Sequence, residues 1–347
     1  VGTSSMMSRA LGRKDYETVS ESSAFGFWCA FISGVIFGLL CLILNSPLLT
    51  LIGASPDTWD ATQGYLFWTV CLGAAPAIVN VVMAYLVRSE GAALHASIGT
   101  MSGCLLNIIL DPFFILPWGL DMGAAGAGLA TFISNCVACL YFLFLLLIKR
   151  GRTFVCIDPR RFRLKKQIVM EVCGVGIPAS IQNLLNVTGM TILNNFTASY
   201  GADAVAAMGI TYKIYLVPMQ ITLGFSQGIM PLISYNFTSG NRKRMKDTIL
   251  FAMKIMLPIL TVVTVVYFTC SEQLVQLFMQ DITIVAYGGR FLKGFSLGLM
   301  FLCVDFLAVG VFQALGLGRY ALVFAVMRKV VLEIPALFIL NRLFPLY

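Results

Sequence analysis

The sequence predicts an all-α, polytopic membrane protein, and three observations carry that prediction. Hydrophobic residues make up 59% of the 347-residue chain and charged residues only 12%, whereas a soluble domain carries about 25% charged residues. The apolar residues gather in continuous runs of the length, roughly 20 residues, at which a helix crosses a hydrocarbon core of about 30 Å. Glycine and proline punctuate these runs, which show none of the ~10-residue alternation of a transmembrane β-barrel.

The elements follow in order. Residues 1–11 read as the end of a span already under way, and the chain is expected to be a fragment whose first span precedes Val1. Spans are then predicted at 24–44, 65–87, 92–115, 124–148, 168–196, 204–233, 249–269, 291–315 and 321–340, nine after the opening stub. The ten cysteines fall mostly inside apolar runs, as Cys29, Cys41, Cys71, Cys104 and Cys303 do. They read as small buried hydrophobes, not as a disulfide framework. Cys136 and Cys139 form a C-x-x-C inside an apolar helix with no partner pair, which points to packing. The single histidine, His95, excludes a multi-histidine metal site.

Loop charge orients the spans. Arg9, Arg13, Lys14, Arg88, the run 149–166, the cluster 242–246 and Arg319 fall on one side. The alternate loops offer Arg290 and Arg342 near span ends and instead carry Asp57, Asp60, Asp121, Asp203, Glu272 and Asp281. The positive-inside rule puts the first set in the cytoplasm. The net charge of +8 is thus confined to particular loops, which argues against a nucleic-acid-binding face. The connection 149–166 holds eight basic residues; it is expected to be a cytoplasmic linker, though such a stretch also suits anionic headgroups.

An internal repeat divides the chain at that linker. Gly2, Ser8, Glu21 and Leu51 have counterparts 226 residues on, at Gly228, Ser234, Asp247 and Leu277. Gly91 pairs with Gly316 and Pro112 with Pro335 at nearly the same offset. The expected organisation is an incomplete first lobe (1–148), the linker (149–166) and a second lobe (167–347) lacking its last span. The period holds an even number of spans, so the lobes share one orientation and a pseudo-two-fold axis along the membrane normal.

Asn107 and Asp111 are the sharpest functional signal. Four residues apart, they share one face of a helix. Pro112 cannot donate a backbone hydrogen bond, which frees carbonyls beside the carboxylate. An ionisable group in a span is costly and marks a candidate ion site. The alternative is a helix-end Asp reaching interfacial water, with Asn107 bonded to a neighbouring helix.

Residues 2–15 (GTSSMMSRALGRKD) resemble the second-helix motif of the multidrug and toxic compound extrusion (MATE) transporters. Residues 107–112 (NIILDP) are similar to that family's N-x-x-x-D-P element, and residues 123–131 (GAAGAGLAT) to its small-residue sixth helix. Residues 224–236 (GFSQGIMPLISYN) resemble its eighth helix and the following loop. The resemblance implies twelve helices in two lobes around a central cavity, and export of organic, often cationic, compounds in exchange for protons or sodium ions. It implies a cation site at Asn107, Asp111 and Thr131, completed by a first-helix Asp that this chain does not contain. Oxygen ligands suit a hard cation, and a desolvated carboxylate can instead carry a proton.

The second lobe departs from some members, which place a Glu where this chain has Asn186. Asp305 resembles a tenth-helix Asp of those members, with spacing about one residue short; its alternative is an Asp bonded to polar neighbours. Lys213, Lys293 and Arg328 face the cavity or snorkel to an interface. Glu333, four residues after Lys329, is expected to form an intrahelical ion pair. Met6, Met7, Met219, Met230 and Met300 suit an adaptable cavity lining or, more plainly, core filler.

The expected protein is therefore a monomeric antiporter of the plasma (inner) membrane, with small organic cations as substrates, the lipid bilayer as surroundings and no cofactor. The rival reading is a lipid-linked precursor flippase of the same superfamily, which needs Lys213, Arg290, Lys293 and Arg328 clustered to hold a pyrophosphate. No catalytic constellation or channel filter is legible.

Overall fold

Fourteen α-helices make up the regular structure of the computed structural model, which describes residues 1–343; residues 344–347, the end of the expected second lobe, lie outside them. In order they are α1 (Gly2–Gly12), α2 (Tyr16–Ile43), α3 (Asn45–Ile52), α4 (Trp59–Leu66), α5 (Ala74–Ser89), α6 (Ala93–Ile115) and α7 (Gly123–Ile148), then α8 (Lys166–Ala198), α9 (Ala202–Thr238), α10 (Arg242–Thr269), α11 (Ser271–Gln276), α12 (Ile282–Ala314), α13 (Gly318–Val326) and α14 (Ile334–Leu343). Two π turns, Phe67–Leu72 and Met327–Glu333, join α4 to α5 and α13 to α14.

Seven helices (α2, α6–α10 and α12) are each long and apolar enough to cross a bilayer. The span expected at 65–87 is not one straight rod. Pro56–Leu72 and Ala74–Ser89 meet at a 50° bend, and taken together as one broken segment they are also long and apolar enough to cross. Pro76 removes the donor for the Leu72 carbonyl, and at Gly73 a Cβ would lie 2.5 Å from the carbonyls of Trp68 and Thr69. The ninth expected span, 321–340, is likewise interrupted: α13, the π turn and α14 follow one another, with Arg328, Lys329 and Glu333 in the middle. The span expected from 291 starts earlier, at Ile282, because Asp281 caps α12 by accepting from the Thr283 and Ile284 amides.

The chain divides into two compact units. The first is Met6–Val169; the second joins Val1–Ser5 to Met170 onward. In the first, Asp15 caps α2, and hydrogen bonding from Thr18, by its side chain and then its backbone N–H, holds the exposed carboxyl below the usual range. One face of α2 buries Gly26, Ala30, Gly34, Gly38 and Cys41 at helical spacing, while Ile36, Phe37, Leu39 and Leu40 stay about half exposed. Small residues inside and large apolar ones outside suit a helix solvated by lipid. Helix α7 approaches α6 in the same way: a Cβ on Gly126 would stand 2.4 Å from the Phe114 carbonyl oxygen. Cys139 donates to the Pro76 carbonyl at 3.1 Å, which makes it a helix contact.

The connection 149–166 is not a free tether. Ser23 Oγ donates to the Cys156 carbonyl (3.2 Å) and accepts from its amide (3.0 Å). Trp28 Nε1 donates to the Ile157 carbonyl at 3.1 Å, and Phe25 stacks on Phe162. Glu90 Oε2 accepts from the Thr153 hydroxyl at 2.7 Å and the Phe154 amide at 2.9 Å. Glu21, its side chain 3% exposed, faces Lys165 Nζ at 2.7 Å and Arg163 Nη1 at 3.8 Å. The connection is thus a folded strap on the first unit.

In the second unit α9 and α12 run side by side. Thr211, Ser226 and Ser234 donate to the carbonyls of Gly288, Phe306 and Ala314, at sequence separations of 77, 80 and 80. A near-constant separation means parallel helices, joined by hydroxyls that have no water to bond in an apolar surround. The 224–236 motif therefore supplies two rungs of this ladder. Met6, Met7 and Met230 are at most 1% exposed and act as filler.

Candidate functional site

Two polar constellations lie within apolar helices, one in each unit. In the first, Asn107 and Asp111 project together from α6, which runs on through Pro112 to Ile115. Asn107 Nδ2 lies 3.4 Å from both Asp111 Oδ1 and Thr131 Oγ1. These contacts are longer than ordinary hydrogen bonds. Thr131 comes from α7, where its hydroxyl donates to the Ala127 carbonyl at 3.0 Å and keeps its lone pairs for Asn107. The three residues singled out in the sequence thus share one half-buried patch.

The patch extends further than the sequence reading. Asn135 Nδ2 donates to the Thr131 carbonyl at 3.0 Å, and Asn80 Nδ2 on α5 donates to Asn135 Oδ1 at 3.1 Å. Asn80 Oδ1 is buried without a hydrogen-bond partner among the described residues. The available signal was an Asn inside each apolar run, with Asn135 one turn after Thr131. Together the groups offer one carboxylate, amide and hydroxyl oxygens and no soft ligand, a donor set matched to a hard cation or a proton.

The second constellation lines a cavity of about 530 Å³ among α8, α9, α12 and the π turn Met327–Glu333. Asn183, Asn186, Val187 and Met190 form the α8 stripe; Tyr212, Tyr215, Met219 and Leu223 form that of α9. Phe295, Leu302, Asp305 and Phe306 face it from α12. Arg328, Lys329 and Glu333 enter from the π turn. A π turn bonds residue i to i+5, which brings Arg328 and Glu333 onto one face where a regular α-helix holds residues five apart off register.

Asp305, 7% exposed, pairs with the Arg328 guanidinium, whose Nη2 also donates to Asn186 Oδ1 at 3.3 Å. Lys329 Nζ reaches Glu333 Oε1 at 2.6 Å, the intrahelical pair that their spacing predicts. Asp305 and Asn186 are therefore brought together, with Arg328 between them. Lys213 is not with them: one position past Tyr212 on α9, it is exposed and outside the cavity lining. Lys293 also lies outside it. The sequence reading missed Arg328 as the partner of Asp305, since nothing local links two residues on different helices.

Known proteins match along most of the chain. The MatE family model matches residues 1–113 and 178–339. The multidrug export protein MepA of Staphylococcus saprophyticus is 36% identical over 347 residues, 100% of this chain and 75% of the relative. MepA of Staphylococcus aureus (strain bovine RF122 / ET3-1) is 35% identical over the same shares. The solved outward-facing conformation of a multidrug resistance MATE family transporter of the MOP superfamily superposes with a TM-score of 0.90 at 26% identity, covering 97% of this chain and 75% of that one. With motifs, helices and matched segments agreeing in both units, the chain belongs to the MATE family, a multi-pass integral membrane transporter and not an enzyme.

Proposed function

We propose that the protein exports multiple amphiphilic, chiefly cationic drugs or metabolites by alternating access, in exchange for protons or sodium ions. It acts as a monomer in the plasma membrane, with the strap 149–166 in the cytoplasm. The observation that carries the reading is the Asn107–Asp111–Thr131 cluster, a carboxylate with neutral oxygen ligands held across two helices, inside a chain whose relatives are multidrug export proteins. A carboxylate there serves as the coupling group, since it binds a sodium ion or a proton but not both at once. The flippase reading fares worse: the cavity's Arg328 and Lys329 are each matched by an acid, and Lys213 and Lys293 stand apart from them.

The test is export from proteoliposomes of the full-length protein with sodium and proton gradients imposed separately. Asp111→Asn keeps size and some hydrogen bonding but removes the charge. It should abolish gradient-driven export at unchanged membrane abundance, while Asp305→Asn should mainly change substrate affinity. If Asp305→Asn uncouples export and Asp111→Asn does not, the coupling site lies in the second unit.

A further inference from the structure

Asp305 is a carboxylate in the middle of a membrane helix that already holds a cation. The cation is Arg328, carried on the π turn and anchored a second time on Asn186 of α8. A buried carboxylate demands a counter-charge, and here the chain itself supplies it. We propose that Arg328 is a tethered counter-ion, occupying at Asp305 the place of an exchangeable cation, so that a cationic ligand enters this cavity by exchange with the guanidinium. This rests on the export reading above and adds a selectivity-determining residue to it.

Three features support exchange over a fixed structural pair. The pair is incompletely bonded: apart from the ion pair itself, both Asp305 carboxylate oxygens and Arg328 Nε are buried with no hydrogen-bond partner among the described residues. A pair kept for structure alone is ordinarily saturated, because orphaned buried polar atoms are costly. Next, the guanidinium has somewhere to go. Its side chain is 29% exposed, and Glu333, 38% exposed, shares its face of the π turn. Finally, Tyr215 and Phe295, with ring centroids 4.9 Å apart, form an aromatic wall that accommodates an organic cation or the displaced guanidinium. Exchange leaves Asp305 itself neutralised, since one cation replaces another there, while the displaced guanidinium stays tethered in the cavity near Glu333. Two acids, Asp305 and Glu333, stand against two bases, Arg328 and Lys329, so a small ion such as sodium meets no vacant carboxylate.

Binding of tetraphenylphosphonium to the purified full-length protein tests this. Arg328→Gln removes the internal competitor and should tighten binding roughly tenfold, within the range of ordinary coupling between sites. It should also make binding sensitive to competition by sodium, which now finds Asp305 open. The double variant Arg328→Gln/Asp305→Asn should lose both effects. Asn186→Ala, which only loosens the guanidinium's second anchor, should tighten binding severalfold, and it keeps the test open should Arg328→Gln fail to fold. Unchanged or weaker binding in a folded Arg328→Gln protein overturns the proposal, as does a gain that survives Asp305→Asn. With Arg328→Gln unfolded, no gain in Asn186→Ala overturns it too. Export of the same probe by wild-type proteoliposomes is read separately. Tighter variant binding without wild-type export removes the transport reading and keeps the tethered ion, whereas export without the affinity change removes the tethered ion alone.

Discussion

At the residue scale, the amide of Asn107 decides how its cluster is read. Its nitrogen faces both Asp111 and Thr131, so the amide currently serves as a donor to two oxygens. A cation among those oxygens needs an acceptor instead, which the same side chain supplies by turning through 180° to present Oδ1. Asn107 thus suits either state at little cost, and a residue with no polar face does not. Asn107→Leu, close in volume, is expected to cut gradient-driven export at least tenfold. The loss should appear in the concentration of coupling ion needed for half-maximal export more than in the apparent affinity for drug. An equal loss on both axes would mean that Asn107 holds the helices together and has no part in ion binding. Asp305 and Asn186 show how far chemistry can mislead at this scale, since each is polar in an apolar run but neither reveals Arg328 as its partner.

At the element scale, the strap 149–166 shows what a charged connection becomes when a buried acid waits for it. Glu21 lies one and a half turns into α2 with its side chain 3% exposed, and Lys165 is 44% exposed at the other end of the contact. Glu21→Gln removes the charge that holds Lys165 and Arg163. The expected cost is about 1–2 kcal/mol, between an exposed and a fully buried pair. Trypsin should then cut at Arg160–Lys166 roughly 5–30-fold faster, as local opening becomes correspondingly more frequent. Cleavage at the wild-type rate would show that the Ser23, Trp28 and Glu90 contacts hold the strap without the ion pair. The π turns are the other element-scale devices. Met327–Glu333 places three charged side chains on a cavity wall, in keeping with the concentration of such irregularities at functional sites.

At the scale of the whole molecule, each unit carries its own polar constellation, and the two differ in kind. The first holds a lone carboxylate with neutral oxygens; the second holds acids already matched by bases. Coupling through the first and selection of ligand in the second is the division of labour proposed above. The orientation that goes with it rests on loop charge. A reporter cysteine at Arg161, which is exposed on the strap, on a cysteine-free background should react in intact cells only with membrane-permeant reagents. Labelling by an impermeant reagent from outside would reverse the orientation.

The sequence by itself determined the class, the helices and the family. Apolar run length and the 107–112 and 224–236 motifs are local, and local pattern is what hydropathy encodes. Asn107 and Asp111 were legible for the same reason, because they share a helix face, whereas Thr131 entered only through the family resemblance. Tertiary structure alone decided the rest. It folded the 149–166 connection onto Glu21 and joined Arg328 to Asn186 across 142 residues. Each of these depends on how helices are rotated about their own axes when small residues let them pack. That rotation is set by the sum of contacts with neighbouring helices, so no single stretch of sequence carries it.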